Sequence, residues 1–223
     1  MKTIGIIFAM QQELALFSQN FKNLQTKEIG GLNFHCGNYN NKTIIATVCG
    51  MGKVNAATGT NALIHNFSPD LIVNIGISGG LDSSLEIGDV IVGDSMVYHD
   101  VWCGEPNQHG QVQGLPAIFL PDQTLVAKFT NYKHGQLCCG DQFISLLTEL
   151  QKIKNNFPQA VAVDMESAAI AQVCYLYQTP FLCVRQISDT PGVEHHVKQY
   201  EAFWENAPQN SLKVLEDILE KVA

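Results

Sequence analysis

The chain has 223 residues, 46% of them hydrophobic, a length at which residues 1–223 are read as one α/β domain with one sizeable core. Thirteen basic against 21 acidic side chains leave a net charge of −8, which offers no electrostatic footprint for a phosphate backbone or an anionic membrane, so neither is an expected partner. Seven cysteines, odd in number and without a C-x-x-C pair, argue against a disulfide framework or a structural zinc site and fit a reducing, cytoplasmic setting.

In chain order, the opening MKTIGIIFAM is apolar but lacks a small-residue cleavage site, so it reads as a first strand, and Met10 to Asn20 continues with helical spacing. LNFHCGNYNNKTIIATV places two β-like runs around Asn40-Asn41 and reads as a hairpin. Lys53 to His65 reads as a helix, and DLIVNIG and DVIVGDSMVY as buried strands. From about Asp100 to Pro121 the chain is rich in Gly, Pro and Gln, a long irregular stretch of the kind used as a lid or an interface segment. Phe143 to Asn155 then reads as a helix, AVAVDM as a strand, Met165 to Tyr177 as a helix, PFLCVRQI as a strand and Tyr200 to Val222 as a last helix. Strand and helix alternate, so the expected fold is α/β: a three-layer sandwich with a central mixed, largely parallel sheet flanked by helices and ligands at the carboxyl ends of its strands. No run approaches the roughly 18 apolar residues of a membrane span.

Several short motifs point elsewhere and fail on context. Gly76-Ile77-Ser78-Gly79-Gly80 matches the G-x-S-x-G nucleophile elbow, but the succeeding LDSSLEIGDVIVGD reads as a turn and a strand rather than a helix, so a Gly-rich loop beside a ligand is the better reading of Ser78. Gly50-Met51-Gly52-Lys53-Val54-Asn55 has Asn where a dinucleotide fingerprint needs its third Gly; a helix start there can still hold a polar ligand through free N–H groups, and a simple strand-to-helix turn is the equal alternative. His99-Asp100 and His195-His196 lack further ligands at metal spacing, so no metal is expected and the histidines read as turn or rim residues.

Three acids remain: Glu13 in the first turns of a helix, Glu166 where AVAVDM passes into a helix, and Asp189 closing PFLCVRQI. All lie at predicted strand ends, which an α/β sheet gathers at one edge. Each singly also reads as a helix-dipole or cap residue.

The segments IIFAMQQE, CGMGKVNAA, IGISGGL, CGDQFI, AVDMESAAIA and VRQISD resemble, in order, those of the bacterial 5′-methylthioadenosine/S-adenosylhomocysteine nucleosidases, of the nucleoside phosphorylase superfamily. The resemblance is weakest between about Val101 and Gln136. It implies a nucleoside phosphorylase-like fold, a small-molecule adenine nucleoside as substrate, a homodimer and no cofactor. It makes Asp189 the acid that protonates adenine N7, oriented by Ser188 beyond Arg185. Glu13 becomes the base that activates water, and Glu166, beside Met165, the grip on the ribose hydroxyls. Phe143 stacks on adenine, the backbone of Ile144 reads its edge, and Met10 and Met165 line the sugar and its sulfur-bearing tail.

The superfamily also contains phosphorylases, whose anion calls for cationic groups, arginine above all. Arg185 is the chain's only arginine, which favours water as nucleophile; Lys53 is the one lysine in a matched segment. Ile77, followed by Ser78, stands where the family often has a small polar residue, and with the altered region around Trp102 it leaves the 5′ substituent open. The competing readings are another 6-aminopurine nucleoside such as aminodeoxyfutalosine, a purine nucleoside phosphorylase, and a catalytically inactive nucleoside-binding protein.

Overall fold

The structure, a computed structural model, describes residues 3–19, 21, 24–206 and 208–222. Asn20 of the first predicted helix, Ala207 of the last, and Met1, Lys2 and Ala223 at the ends of the predicted domain lie outside the described residues. The strands are β1 (Thr3–Phe8), β2 (Gln25–Ile29), β3 (Leu32–Tyr39), β4 (Lys42–Val48), β5 (Leu71–Gly80), β6 (Val90–Tyr98), β7 (Lys133–Cys139), β8 (Ala160–Asp164) and β9 (Phe181–Asp189). The helices are α1 (Gln11–Ser18), α2 (Lys53–Phe67), α3 (Gln123–Val126), α4 (Leu147–Asn156), α5 (Ser167–Tyr177), α6 (His196–Asn206) and α7 (Pro208–Val222).

One sheet runs β2-β3-β4-β1-β5-β8-β7-β6-β9, and pairing of β5 with β9 closes its last five strands into a ring. The sheet is mixed, as expected. β1–β4, β1–β5, β5–β9, β6–β7 and β7–β8 are parallel, while β2–β3, β3–β4, β5–β8 and β6–β9 are antiparallel. Both faces are apolar because side chains alternate along each buried strand. Ile4, Ile6 and Phe8 of β1 and Leu71, Val73 and Ile75 of β5 join the core that includes Leu215 and Ile218 of α7. Ile7 and Ile72, one residue out of phase, join the opposite core with Leu63 of α2 and Ile170 of α5. Among the described residues no helix is long and apolar enough to cross a membrane.

The hairpin forms where Asn40-Asn41 predicts it, both asparagines adopting positive φ. Four readings need correction. β2 and β7 are additional strands: β2 is largely exposed, and β7, KHGQLCC, has no β-branched residue. The predicted last helix is two helices, the second beginning at Pro208, a residue with no N–H to continue a preceding helix. The helix predicted from Phe143 begins only at Leu147, which leaves Phe143 and Ile144 in a loop. Gly76 to Gly80 is the end of β5 rather than a loop.

Residues 100–121 are largely irregular, as expected, with Trp102 stacked on His109 and Phe119 bridged to Met96. Helix α2 seats against the end of β4 through Gly59, where a Cβ would lie 2.5 Å from Cys49 Cβ and 3.4 Å from its Cα. Alanine is ordinarily better than glycine inside a helix; here it forces α2 off the strand end. Gly59→Ala is therefore expected to destabilise the protein by about 1–3 kcal/mol, read from urea unfolding. An increase in stability would show that α2 is not in this close contact.

Candidate active site

The carboxyl ends of β1, β5, β8 and β9 surround a cavity of about 690 Å³, part of it open to solvent. The residues singled out in the sequence line it together: Met10, Glu13, Ile77, Ser78, Phe143, Ile144, Met165, Glu166, Arg185, Ser188 and Asp189. Asn74, Met51, Asp164 and Tyr200, to which the sequence pattern assigns no role, line it as well. Among the described residues no group of three or more His, Cys, Asp or Glu is arranged to hold a metal ion.

Arg185 lies at the base of the cavity, 1% exposed. Its Nε donates to Asp164 Oδ2 at 2.9 Å, Nη2 to Asn74 Oδ1 at 2.5 Å and Nη1 to the Val184 carbonyl at 3.2 Å. Its donors thus serve the protein interior. Burial opposes its charge, but the acidic groups around it outweigh burial and hold the guanidinium protonated.

Glu13, in the first turn of α1, accepts the N–H groups of Ala9 and Met10 on Oε2, at 2.9 and 3.0 Å. A Cβ on Gly76 would lie 2.9 Å from its other oxygen, so glycine there lets this carboxylate sit against β5 without being displaced. Burial is the main cause that pushes Glu13 up to about 7, against the backbone bond from Met10 and the charge of Arg185. Glu166 immediately precedes α5 and accepts Gly52 N–H on Oε1 at 2.8 Å, while Asp164 Oδ1 accepts the N–H groups of Glu166 and Ser167 at the start of the helix. Burial first, then the charge of Asp164, pushes it up to about 7 as well, with Arg185 opposing.

At the start of α2, two of the N–H groups are taken by protein carboxylates. Gly52 N–H serves Glu166, and Lys53 N–H serves Asp141 Oδ1 at 2.7 Å. Lys53 Nζ pairs with Asp100 at 2.7 Å, and Asp141 N–H donates to the same Asp100 oxygen at 2.9 Å. This bracket fixes the loop carrying Phe143 against the segment that holds Glu166.

Asp189 is 2% exposed, and burial raises its pKa. The hydroxyl of Ser188, 2.6 Å from Asp189 Oδ1, opposes that rise, followed by the charge of His196. Phe143 is half exposed and stacks on His196 at 5.7 Å, with Tyr200 edge-on at 5.8 Å. His195 is exposed, as a rim residue would be, but His196 is buried against this aromatic group. Tyr200 also donates its hydroxyl to Met10 Sδ at 3.6 Å, tying α6 to the end of β1. Ile77 lines this cavity and a second chamber of about 420 Å³, also partly open to solvent, beside α6 and α7, so it forms part of the wall between them.

The arrangement places an acid with raised pKa at one end of an apolar-walled cavity and two buried carboxylates at the other. That geometry can protonate a leaving group and stabilise positive charge left behind.

Residues 3–220 match the phosphorylase superfamily model. The chain is 37% identical to a 5′-methylthioadenosine/S-adenosylhomocysteine nucleosidase of Oceanobacillus iheyensis, over 99% of this chain and 100% of that one. It superposes with TM-score 0.92, at 32% identity and over 100% and 98% of the two chains, on an S-adenosylhomocysteine nucleosidase of Streptococcus pyogenes in complex with 5-methylthiotubericidin. A futalosine hydrolase of Helicobacter pylori gives TM-score 0.90 at 29% identity, over 99% and 98% of the two chains. The chain belongs to the phosphorylase superfamily and, within it, to the family of 5′-methylthioadenosine/S-adenosylhomocysteine nucleosidases.

Proposed function

We propose that this protein hydrolyses the N-glycosidic bond of 5′-methylthioadenosine and S-adenosylhomocysteine, releasing adenine and the 5-thioribose product. The observation that carries hydrolysis over phosphorolysis is the state of the cations. Arg185, the only arginine in the chain, is buried and committed to Asp164, Asn74 and Val184. Lys53 is committed to Asp100 and lies outside the cavity lining. A phosphate would meet Glu13 and Glu166 without a free arginine fork to hold it.

In this mechanism the protonated carboxyl of Asp189 donates its proton to N7 of adenine as the bond to C1′ breaks, so the base leaves neutral. A carboxylic acid with an ordinary pKa loses that proton at neutral pH; burial of Asp189 shifts it towards the protonated form that this step requires. The sugar develops oxocarbenium character, which the carboxylates of Glu13 and Glu166 stabilise. Glu13 takes a proton from the attacking water, whose oxygen bonds to C1′. With its pKa near 7, Glu13 is a stronger base than an exposed glutamate and is still substantially ionised at neutrality. Glu166 holds the ribose hydroxyls, Phe143 covers the adenine ring, the Ile144 backbone reads the base edge, and Met10 and Met165 contact the 5′ tail.

On this reading residues 1–223 act as one nucleosidase domain. The protein works in the cytoplasm, in methionine salvage, as a homodimer. Exposed Met51, Val54 and Trp102 suit burial in such an interface. The second reading, a nucleosidase for a 6-aminopurine nucleoside such as aminodeoxyfutalosine, draws on the similarity to futalosine hydrolase and on Ile77 in the cavity wall.

A panel of 5′-substituted adenosines, each assayed with and without phosphate, separates these readings. Adenine release at equal rates in both conditions with free 5-thioribose as product is expected. Formation of a sugar 1-phosphate would contradict hydrolysis, and preference for aminodeoxyfutalosine would favour the second reading. Asp189→Asn is expected to lower kcat by about 10²–10⁴-fold while nucleoside affinity stays within a few-fold. Unchanged turnover would remove Asp189 from the mechanism.

A further inference from the structure

Strand β5 carries a hydroxyl that the proposed mechanism does not use. Ser78 is 5% exposed, its Oγ has no hydrogen-bond partner among the described residues, and it lines the nucleoside cavity. Such a hydroxyl is left by the protein without a partner of its own, and it opens onto the cavity where a ligand can supply one.

Alternation along β5 shows which way this hydroxyl faces. Asn74 bonds Arg185, and a Cβ on Gly76 would point at Glu13 and the Arg185 guanidinium. Ile75, between them, belongs to the core beneath α7, and Ile77 reaches the second chamber with Phe203 and Trp204. Ser78 is in phase with Asn74 and Gly76 and does not line the second chamber. It therefore faces the reacting side.

Its neighbours place it at the leaving-group end. The Ser78 carbonyl lies 3.3 Å from Ser188 Oγ, which is 2.6 Å from Asp189 Oδ1. Gly79, the next residue, pairs with Val163 across β5 and β8. Among the described residues no lysine lines this cavity, and Arg185 already bonds Asp164, Asn74 and the Val184 carbonyl, so a neutral ring bearing nitrogen donors and acceptors suits this end better than an anion. A serine hydroxyl can both give and accept a bond to such a ring.

We propose that Ser78 Oγ hydrogen-bonds the bound adenine base and is a specificity-determining residue of this site. The inference rests on the nucleosidase reading. Because Ser78 Oγ bonds no protein group, its removal costs the unliganded protein no internal hydrogen bond but costs the occupied one its bond to the base, which gives the test two independent readouts.

The experiment is calorimetric titration of free adenine into the unmodified chain and Ser78→Ala, with urea unfolding of both in the absence of ligand. The expected result is an unliganded variant at least as resistant to urea, with adenine bound about tenfold more weakly. Ser78→Cys, similar in size but a weak donor, is expected to show the same loss of affinity and serves if the alanine variant does not fold. Undiminished adenine affinity in a folded variant would overturn the role of Ser78, whether or not its stability changed, and would leave the nucleosidase reading standing. Failure of the unmodified chain to bind adenine would overturn both.

Discussion

Arg185 is a full positive charge sealed inside a sheet, and the site is organised around compensating it. Removing an ion from water costs several kcal/mol even after the protein relaxes, so a buried guanidinium persists only where its donors are satisfied and opposite charge is close. Asp164, Asn74 and the Val184 carbonyl each accept one of its donors directly. Glu13 and Glu166 stand near enough to influence it electrostatically, and each also feels other negative charge: Glu166 acts on Glu13, and Asp164 acts on Glu166. One cation is thus surrounded by three buried carboxyl groups, and burial drives Glu13 and Glu166 towards neutrality. With both groups near 7, the fraction still ionised at neutrality keeps the cavity floor attractive to positive charge and unfavourable to an incoming anion. That one electrostatic condition suits an oxocarbenium ion at the sugar and disfavours phosphate as nucleophile.

The fold supplies this condition by joining strands distant in sequence. Pairing of β9 with β5 sets Arg185 opposite Gly76, and the ring of strands brings the end of β8, with Asp164, to the same place. Glycine at position 76 leaves room for Glu13 from α1. At the other side, α2 hands a backbone N–H to Glu166, and the Lys53, Asp100 and Asp141 bracket ties that helix to the loop bearing Phe143. The groups proposed to hold the ribose and the base are therefore held to one another by the protein, which is the preorganisation that electrostatic catalysis requires.

Much of this is legible in the sequence because buried strands rich in Ile and Val, separated by helical spacing, announce themselves. β1, β4, β5, β6, β8 and β9 are such strands. β7 escapes notice because its buried residues are Gly135, Gln136, Leu137 and two cysteines behind an exposed lysine and histidine, and β2 because exposed QTKEI has no inward periodicity. The three acids stand out through their places at strand ends and through family resemblance, while Asp164 and Asn74 pass as ordinary strand residues. A signal for them does exist: a lone arginine within the apolar run PFLCVRQI demands a buried counterion, and the acid in AVAVDM is one. The engagement of Gly52 by Glu166 has no sequence signal, because the two are 114 residues apart and meet only through the closed sheet.

The most direct measurement is a carbon-13 NMR titration of the unliganded protein labelled at glutamate side-chain carboxyls, with Glu13→Gln and Glu166→Gln used for assignment. Both groups are expected to keep their protons far above the ordinary 4.5 and to titrate near 7. Because each single variant leaves the other glutamate in place, the midpoint of the remaining group is read without its partner's proton. Midpoints close to 4.5 for both groups in the unmodified protein would contradict the central claim, because the floor of the cavity would then be an ordinary ionised surface rather than a buried cation balanced by reluctant carboxylates.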